Sequence, residues 1–344
     1  MRKEKFTQRK STMNTRRLLG RGERNYYHIM SRVIEQRFIF GNEEKQFFLS
    51  LMRRLEKFMG VRILTYCIMS NHFHILLEVT SNKDLDDKEI LLRIDEFYRK
   101  EQALEIRKEY KKCIEYEKES GYDILIKDWR ARYLNRMGNL SNFGKELKER
   151  FSRWYNARVD RRGPLWIERF KSVLIEDSES ALSTMSAYID LNPVRAGIVK
   201  DPKDYLYCGY AEAIGGGTSA RSGICALAQI VRQDKKEPAW KDAASLYRCH
   251  LYTAADGKGI DSDQVKEVYK SGGKLSKKDL LSCRVRYFSD GLAFGSKAFI
   301  NTIFDESCTQ FWKKRTEGAR QMKKTDDSFF TLKDLRNEPI RAPG

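Results

Sequence analysis

The segment that most constrains this chain is His72-Phe73-His74-Ile75-Leu76-Leu77-Glu78-Val79. In an extended strand successive side chains point to opposite faces. Phe73, Ile75, Leu77 and Val79 then share one face, and His72, His74, Leu76 and Glu78 share the other. The first set is the core face, so two imidazoles are expected to project side by side, away from the core. Arg62 to Met69 reads as a preceding strand and Ser70-Asn71 as a turn, which makes an antiparallel hairpin. Two imidazoles so placed suit one divalent cation, with Glu78 pointing the same way further along. The spacing alone reads first as a solvent-facing or hydrogen-bonded pair.

The surrounding pattern supplies a fold. Tyr26 to Val33 is aromatic and β-branched and reads as a strand. Phe47, Phe48, Leu51, Leu55 and Phe58 recur at helical spacing between Gly41 and Met59, and Gly60 closes that helix. Leu140 to Val159 is amphipathic, with Phe143, Leu147, Phe151 and Trp154/Tyr155 on one stripe, and Arg161-Arg162-Gly163-Pro164 breaks it. Phe170 to Ile175 is a strand, and Ser178 to Leu191 is a helix that Pro193 stops or kinks. Helices against an antiparallel sheet make an α+β layer. Residues 82–138, from Lys88 through Glu119 above all, mix charges of both signs, so they read as an exposed helical-hairpin insertion.

The expected organisation is a basic arm over 1–24, a catalytic domain over 25–214, and a glycine-rich linker over 215–222. A mainly α domain over 223–315 follows, with helices at Ile224–Val231, Trp240–Tyr252, Ser262–Ser271, Lys277–Phe288 and Ser296–Phe304. Residues 316–344 read as a loose charged tail.

Charge narrows the partner. Lys and Arg number 66 against 48 Asp and Glu, a formal charge of +18. A strongly basic soluble chain most plausibly meets a polyanion. The excess is uneven: +8 within residues 1–37 and +5 within 141–174, against −2 within 81–120. No apolar run reaches the roughly 18 residues of a membrane span. Seven scattered cysteines form no CxxC and no disulfide framework, which fits a reducing cytoplasm. Walker-type, GxSxG and HExxH motifs are missing, which argues against an NTPase, a hydrolase elbow and a zincin. No three carboxylates are singled out as a nuclease triad.

Tyr188 and Asn192 stand four apart and share a helix face. A tyrosine hydroxyl is a poor nucleophile at its ordinary pKa of about 10, but a nearby divalent ion can polarise a phosphate for its attack. Asn192 offers a hard amide oxygen suited to Mg²⁺ or Mn²⁺. Taken blind, Tyr188 reads first as a core aromatic among Leu182, Met185 and Ile189. His28 reads first as a packed or exposed histidine on the first strand. Cys249-His250 lacks partners at metal-ligand spacing.

Asn71 to Leu77 resembles the histidine–hydrophobe–histidine motif of the IS200-like, single-tyrosine (Y1) transposases. Leu165-Trp166 with Arg169-Phe170-Lys171-Ser172, and Tyr188-Ile189-Asp190-Leu191-Asn192-Pro193-Val194-Arg195-Ala196-Gly197, resemble the branch associated with repetitive extragenic palindromes. Cys283 to Gly291 and Phe294-Gly295-Ser296 resemble the C-terminal region of longer members. The resemblance implies a ferredoxin-like α+β domain and a cation held by His72 and His74, with Asn192 in the place of the polar third ligand. It implies Tyr188 as nucleophile on single-stranded hairpin DNA, a 5′-phosphotyrosine bond, a free 3′-hydroxyl, and action as a monomer or homodimer. The other readings kept open are a catalytically silent DNA- or RNA-binding derivative and a replication initiator or relaxase.

Arg153, Arg158, Arg161 and Arg162 interleave with Trp154 and Tyr155, and Arg169 and Lys171 flank Phe170. Such cations neutralise phosphates without reading sequence, and the aromatics offer stacking surfaces. These six are the expected DNA-contacting residues.

Overall fold

A computed structural model describes residues 17–80, 85–253, 288, 291–311, 317–322 and 329–333. Strand β1 (Arg24–Arg32) is central. It pairs antiparallel with β3 (His72–Thr80) on one side and with β4 (Lys171–Ile175) on the other. The turn at Ser70-Asn71 lets β2 (Val61–Ile68) fold back on β3, as its alternation requires. The order β2-β3-β1-β4 is that of a ferredoxin-like sheet, so the α+β class holds.

One face of the sheet is built from Phe73, Ile75 and Leu77. Helix α1 (Asn42–Met59) lies against it through Phe48, Leu51, Met52, Leu55 and Phe58, all buried. Gly60, at φ 63°, ends that helix in the left-handed conformation that glycine adopts without a Cβ clash. The rings of Phe48 and Phe73 stand 4.9 Å apart, and Phe151 reaches Phe48 at 5.3 Å from helix α5 (Leu140–Arg158). Fully burying each such side chain contributes roughly 1.5–3 kcal/mol.

The histidine face does not point away from the core. Helix α6 (Glu179–Asp190) covers it with Ala181, Leu182, Met185 and Ile189, all fully buried. Leu76 and His74 are buried with them. The sheet is packed on both faces because α6 is buried almost all round, its Ser183, Ser186 and Asp190 included.

The described part of the insertion forms three helices: α2 (Asp87–Phe97), α3 (Lys100–Ser120) and α4 (Ile124–Leu134). The last two form the expected hairpin, with Tyr110 and Trp129 4.8 Å apart and Arg132 bridging Glu109. Helix α2 instead docks on α1, where Phe97 stacks on Phe58 at 4.5 Å. Its Ile90, Leu91, Ile94 and Phe97 form a buried stripe within the charged run.

The single turn α7 (Asn192–Arg195) follows α6 directly, with Pro193 at its start. The stretch read as a linker is a tight joint between α8 (Gly209–Ile214) and α9 (Thr218–Arg232), closed by a bond from the Gly217 amide to the Glu212 carbonyl (2.8 Å). Helix α9 and α10 (Trp240–Thr253) pack beside α6. Helix α11 (Lys297–Glu306) follows, its Ser296 cap accepting from the Phe299 amide. The part expected to be mainly α also extends the sheet. Strand β5 (Ala293–Gly295) pairs parallel to β4, followed outward by β7 (Phe330–Leu332) and β6 (Arg320–Gln321). The last two lie in the stretch read as a loose tail. The expected arm is anchored at Arg17 and Leu18, with Leu18 buried and Arg17 3.8 Å from the centre of the Phe170 ring, while residues 21–24 are exposed. Residues 1–16, the expected helices at Ser262–Ser271 and Lys277–Phe288, and the Cys283–Gly291 motif lie outside the described residues, save Phe288 and Gly291. Among the described residues no helix is long and apolar enough to cross a membrane.

Candidate functional site: paired histidines beneath a tyrosine helix

Strand register sets the floor of the site. His72 stands opposite Arg32 and His74 opposite Met30, while Met30 on its other side faces Lys171. Directly opposed residues share a face, so Arg32, Lys171 and both histidines look the same way. His28 shares that face two residues earlier on β1. Helix α6 forms the roof, its start fixed by the Ser178 hydroxyl accepting from the Ala181 amide.

This packing brings Tyr188 onto the histidines of its own chain. The Tyr188 ring lies 5.6 Å from His74 and 5.9 Å from His28, centre to centre, and His72 lies 5.1 Å from His74. Phe288 stacks on Tyr188 at 4.6 Å, and the Arg195 guanidinium sits 5.1 Å from its ring centre. Tyr188 is 5% exposed, and its buried hydroxyl has no hydrogen-bond partner among the described residues. Burial raises the phenol pKa, while Arg195, Arg32 and the Asn192 amide work against that rise. The Asn192 amide nitrogen donates to the Tyr188 carbonyl (2.8 Å). Its carbonyl oxygen is the atom that remains for a ligand.

The imidazoles are neutral at ordinary pH. Burial holds His28 at about 4, and burial with the nearby Arg32 charge holds His72 at about 4. His74 is pushed well below its usual range by burial and then by its histidine and arginine neighbours. Neutral imidazoles carry the lone pair that a metal needs. Two such groups, a nearby amide oxygen and an orphaned buried hydroxyl fit a small divalent cation and an anionic ligand. No three His, Cys, Asp or Glu side chains gather as a metal set among the described residues. Glu78 is not part of this group: it lies four residues along β3, roughly 13 Å from His74 at about 3.3 Å per residue, opposite Tyr26 and Arg62.

The six cations expected to contact DNA divide. Arg169 and Lys171 border a cleft of about 120 Å³ with Met30, Ser31, Arg32, Ile167 and Glu168. Ser31 is buried there with an unpartnered hydroxyl, and the Lys171 ammonium lies 3.5 Å from the Glu168 carboxylate. Arg153 and Arg158 ride on α5, which packs against α1. Arg158 is engaged by Glu43 and lies over Trp154 at 5.5 Å. Arg161 turns onto its own loop, donating to the Pro164 carbonyl (2.8 Å), and Arg162 is exposed. Sequence reasoning passed over Arg32 and Arg195. Arg195 could have been found as the residue two helical turns after Tyr188, whereas Arg32 needs the β1–β3 register.

The family resemblance is borne out over part of the chain. Residues 23–123 match the family described as "Transposase IS200 like". That segment is therefore similar to the IS200-like transposases. It contains His28, His72 and His74, whereas Tyr188 and Asn192 lie beyond it. A solved structure described as the REP-associated tyrosine transposase bound to a REP hairpin is similar at 12% identity and a TM-score of 0.35. That similarity covers 56% of this chain and 81% of the other. No curated protein matches the sequence.

Proposed function

We propose that the protein is a metal-assisted DNA strand-transferase that cuts and rejoins single-stranded, hairpin-bearing DNA through Tyr188. One observation carries the reading: Tyr188 lies 5.6 Å from His74, within a chain segment that leads on from an IS200-like transposase match. His72 and His74 would hold a divalent cation, Mg²⁺ or Mn²⁺, with the Asn192 carbonyl oxygen as the third protein donor. When bound, that ion supplies Lewis-acid polarisation of a phosphate. Arg32 and Arg195 hold the scissile phosphodiester by charge and stabilise the negative charge that grows on it.

The Tyr188 hydroxyl gives up its proton and its oxygen bonds to phosphorus, the P–O3′ bond breaks, and the departing 3′ oxygen takes up one proton in exchange, so charge and protons balance. The products are a 5′-phosphotyrosine and a free 3′-hydroxyl. One ester bond replaces another, so the reverse step rejoins a strand without ATP. The cleft between β1 and residues 167–171, with Arg32, Arg169 and Lys171 on its rim, suits the next phosphate of the strand. A cytoplasmic setting fits such a substrate.

The burial of Tyr188 under Phe288 favours a second reading, a nucleic-acid-binding protein that kept the fold without turnover. One assay separates the two. A hairpin oligonucleotide with an unpaired flank, incubated with the protein and Mn²⁺, is expected to give a covalent adduct. The adduct is expected to vanish in Tyr188→Phe and with chelator. Binding without any adduct supports the second reading, and an adduct that survives Tyr188→Phe overturns the nucleophile assignment.

A further inference from the structure

His28 does more than fill space beneath Tyr188. Its Nδ1 lies 3.0 Å from the Phe288 carbonyl oxygen, and its Nε2 lies 2.9 Å from His74 Nδ1. A carbonyl oxygen only accepts, so the His28 proton sits on Nδ1. A neutral imidazole has one N–H, so His28 Nε2 is an acceptor. His74 Nδ1 must then be the donor across the 2.9 Å contact. The His74 proton is thereby fixed on Nδ1, and the lone pair of its Nε2 is left for a ligand.

His72 reaches the same state by a separate route. Its Nδ1 lies 2.6 Å from Asn71 Oδ1. The amide orientation is set by Asn71 Nδ2, which donates to the Gln36 carbonyl (3.2 Å). Gln36 and its neighbour Glu35 hold left-handed backbone at φ 55° and 56°. A Cβ disfavours this conformation, and here the turn presents the Gln36 carbonyl to Asn71. Two unrelated contacts thus leave both site histidines with the proton on Nδ1.

We propose that His28, acting through His74, is a positioning residue that sets the tautomer and ring orientation of a metal ligand, with Asn71 doing the same for His72. This rests on the reading of His72 and His74 as ligands. Outer-ring partners of metal-bound histidines typically contribute 10–100-fold to metal affinity. A histidine partner in place of the more common carboxylate leaves the site without added negative charge.

The test reads the tautomers directly. The protein has four histidines, few enough to assign by substitution in long-range ¹H–¹⁵N spectra of the full-length, metal-free chain. Both His72 and His74 are expected as Nδ1–H tautomers. In His28→Phe, His74 is expected to shift toward Nε2–H, and Mn²⁺ affinity to fall on the order of 10–100-fold. His28→Gln, which keeps an acceptor and a donor, is expected to retain affinity to within about threefold. Wild-type His74 found as the Nε2–H tautomer overturns the proposal without any variant. So does a folded His28→Phe with unchanged His74 signals. Should wild-type protein show the expected tautomers but no Mn²⁺ binding, the metal reading fails and the positioning role for a ligand fails with it. Loss of DNA cleavage alone, with tautomers and Mn²⁺ affinity as expected, fails only the transposase reading.

Discussion

Replacing Lys148 by Met is expected to change how stability depends on pH. The Lys148 ammonium is 2.6 Å from the Glu168 carbonyl and 5.3 Å from the centre of the Trp166 ring, in a buried position on α5. Burial depresses its pKa to about 7, with the Arg17 and Arg169 charges adding to the fall and Glu168 opposing it. The unfolded value is 10.5. Between these two pH values the unfolded chain holds more protons at this site, so stability rises with pH. The contribution is fully present above pH 10.5 and is lost as pH falls through about 7. From pH 7 to pH 9 the wild-type protein should gain about 2 kcal/mol from this lysine alone. Lys148→Met keeps the stem and removes the titration. Urea unfolding of both proteins at pH 7, 8 and 9, followed by tryptophan fluorescence, gives the difference, in which the buried cysteines and tyrosines cancel. Matching pH slopes, to within about 0.5 kcal/mol, would refute the reasoning. The contact matters to the site because it ties α5 to the segment that rims the cleft.

Gly223→Ala is expected to lower stability by about 1 kcal/mol, since overpacking of about 2 kcal/mol outweighs a helix-propensity gain of about 1 kcal/mol. A Cβ there would lie 2.4 Å from the Ile63 carbonyl oxygen and 2.6 Å from that of Leu64, and strand backbone has little room to move. An unchanged or raised melting temperature would count against the α9–β2 packing. Arg32→Ala is expected to slow hairpin cleavage on the order of 10²-fold and to reduce the salt slope of DNA binding by about 1. Its exposed position predicts a stability change within about 0.5 kcal/mol, and cleavage at the wild-type rate would remove Arg32 from the phosphate.

Local pattern carried much of this fold to the reader. The alternation from His72 to Val79, the Ser70-Asn71 turn and the stripe on α1 are local signals, and each sits where its spacing puts it. What failed was tertiary. The histidine face could be named, but that α6 covers it depends on two faces meeting across more than a hundred residues. His28 looked like an isolated histidine because its partner is on another strand and the carbonyl it donates to belongs to Phe288. Gly215-Gly216-Gly217 signals a break in regular structure, and a joint between two helices breaks it as well as a flexible linker does. Strands of two or three residues, such as β6 and β7, are too short for any periodicity to declare itself.

The parallel pairing of β5 with β4 has a consequence in time. The β4 strand ends at Ile175 and its partner begins at Ala293. At the usual 5–20 residues per second, the ribosome needs roughly 6–24 s to make that stretch. Early in this interval the nascent chain adds Tyr188 to the His28, His72 and His74 it already contains, while the outer edge of β4, close to Lys171, has no strand to bond. An open edge invites pairing with whatever extended chain is near. Lys171 near its start is the kind of charged residue that keeps such an edge from finding the wrong partner before residue 293 emerges.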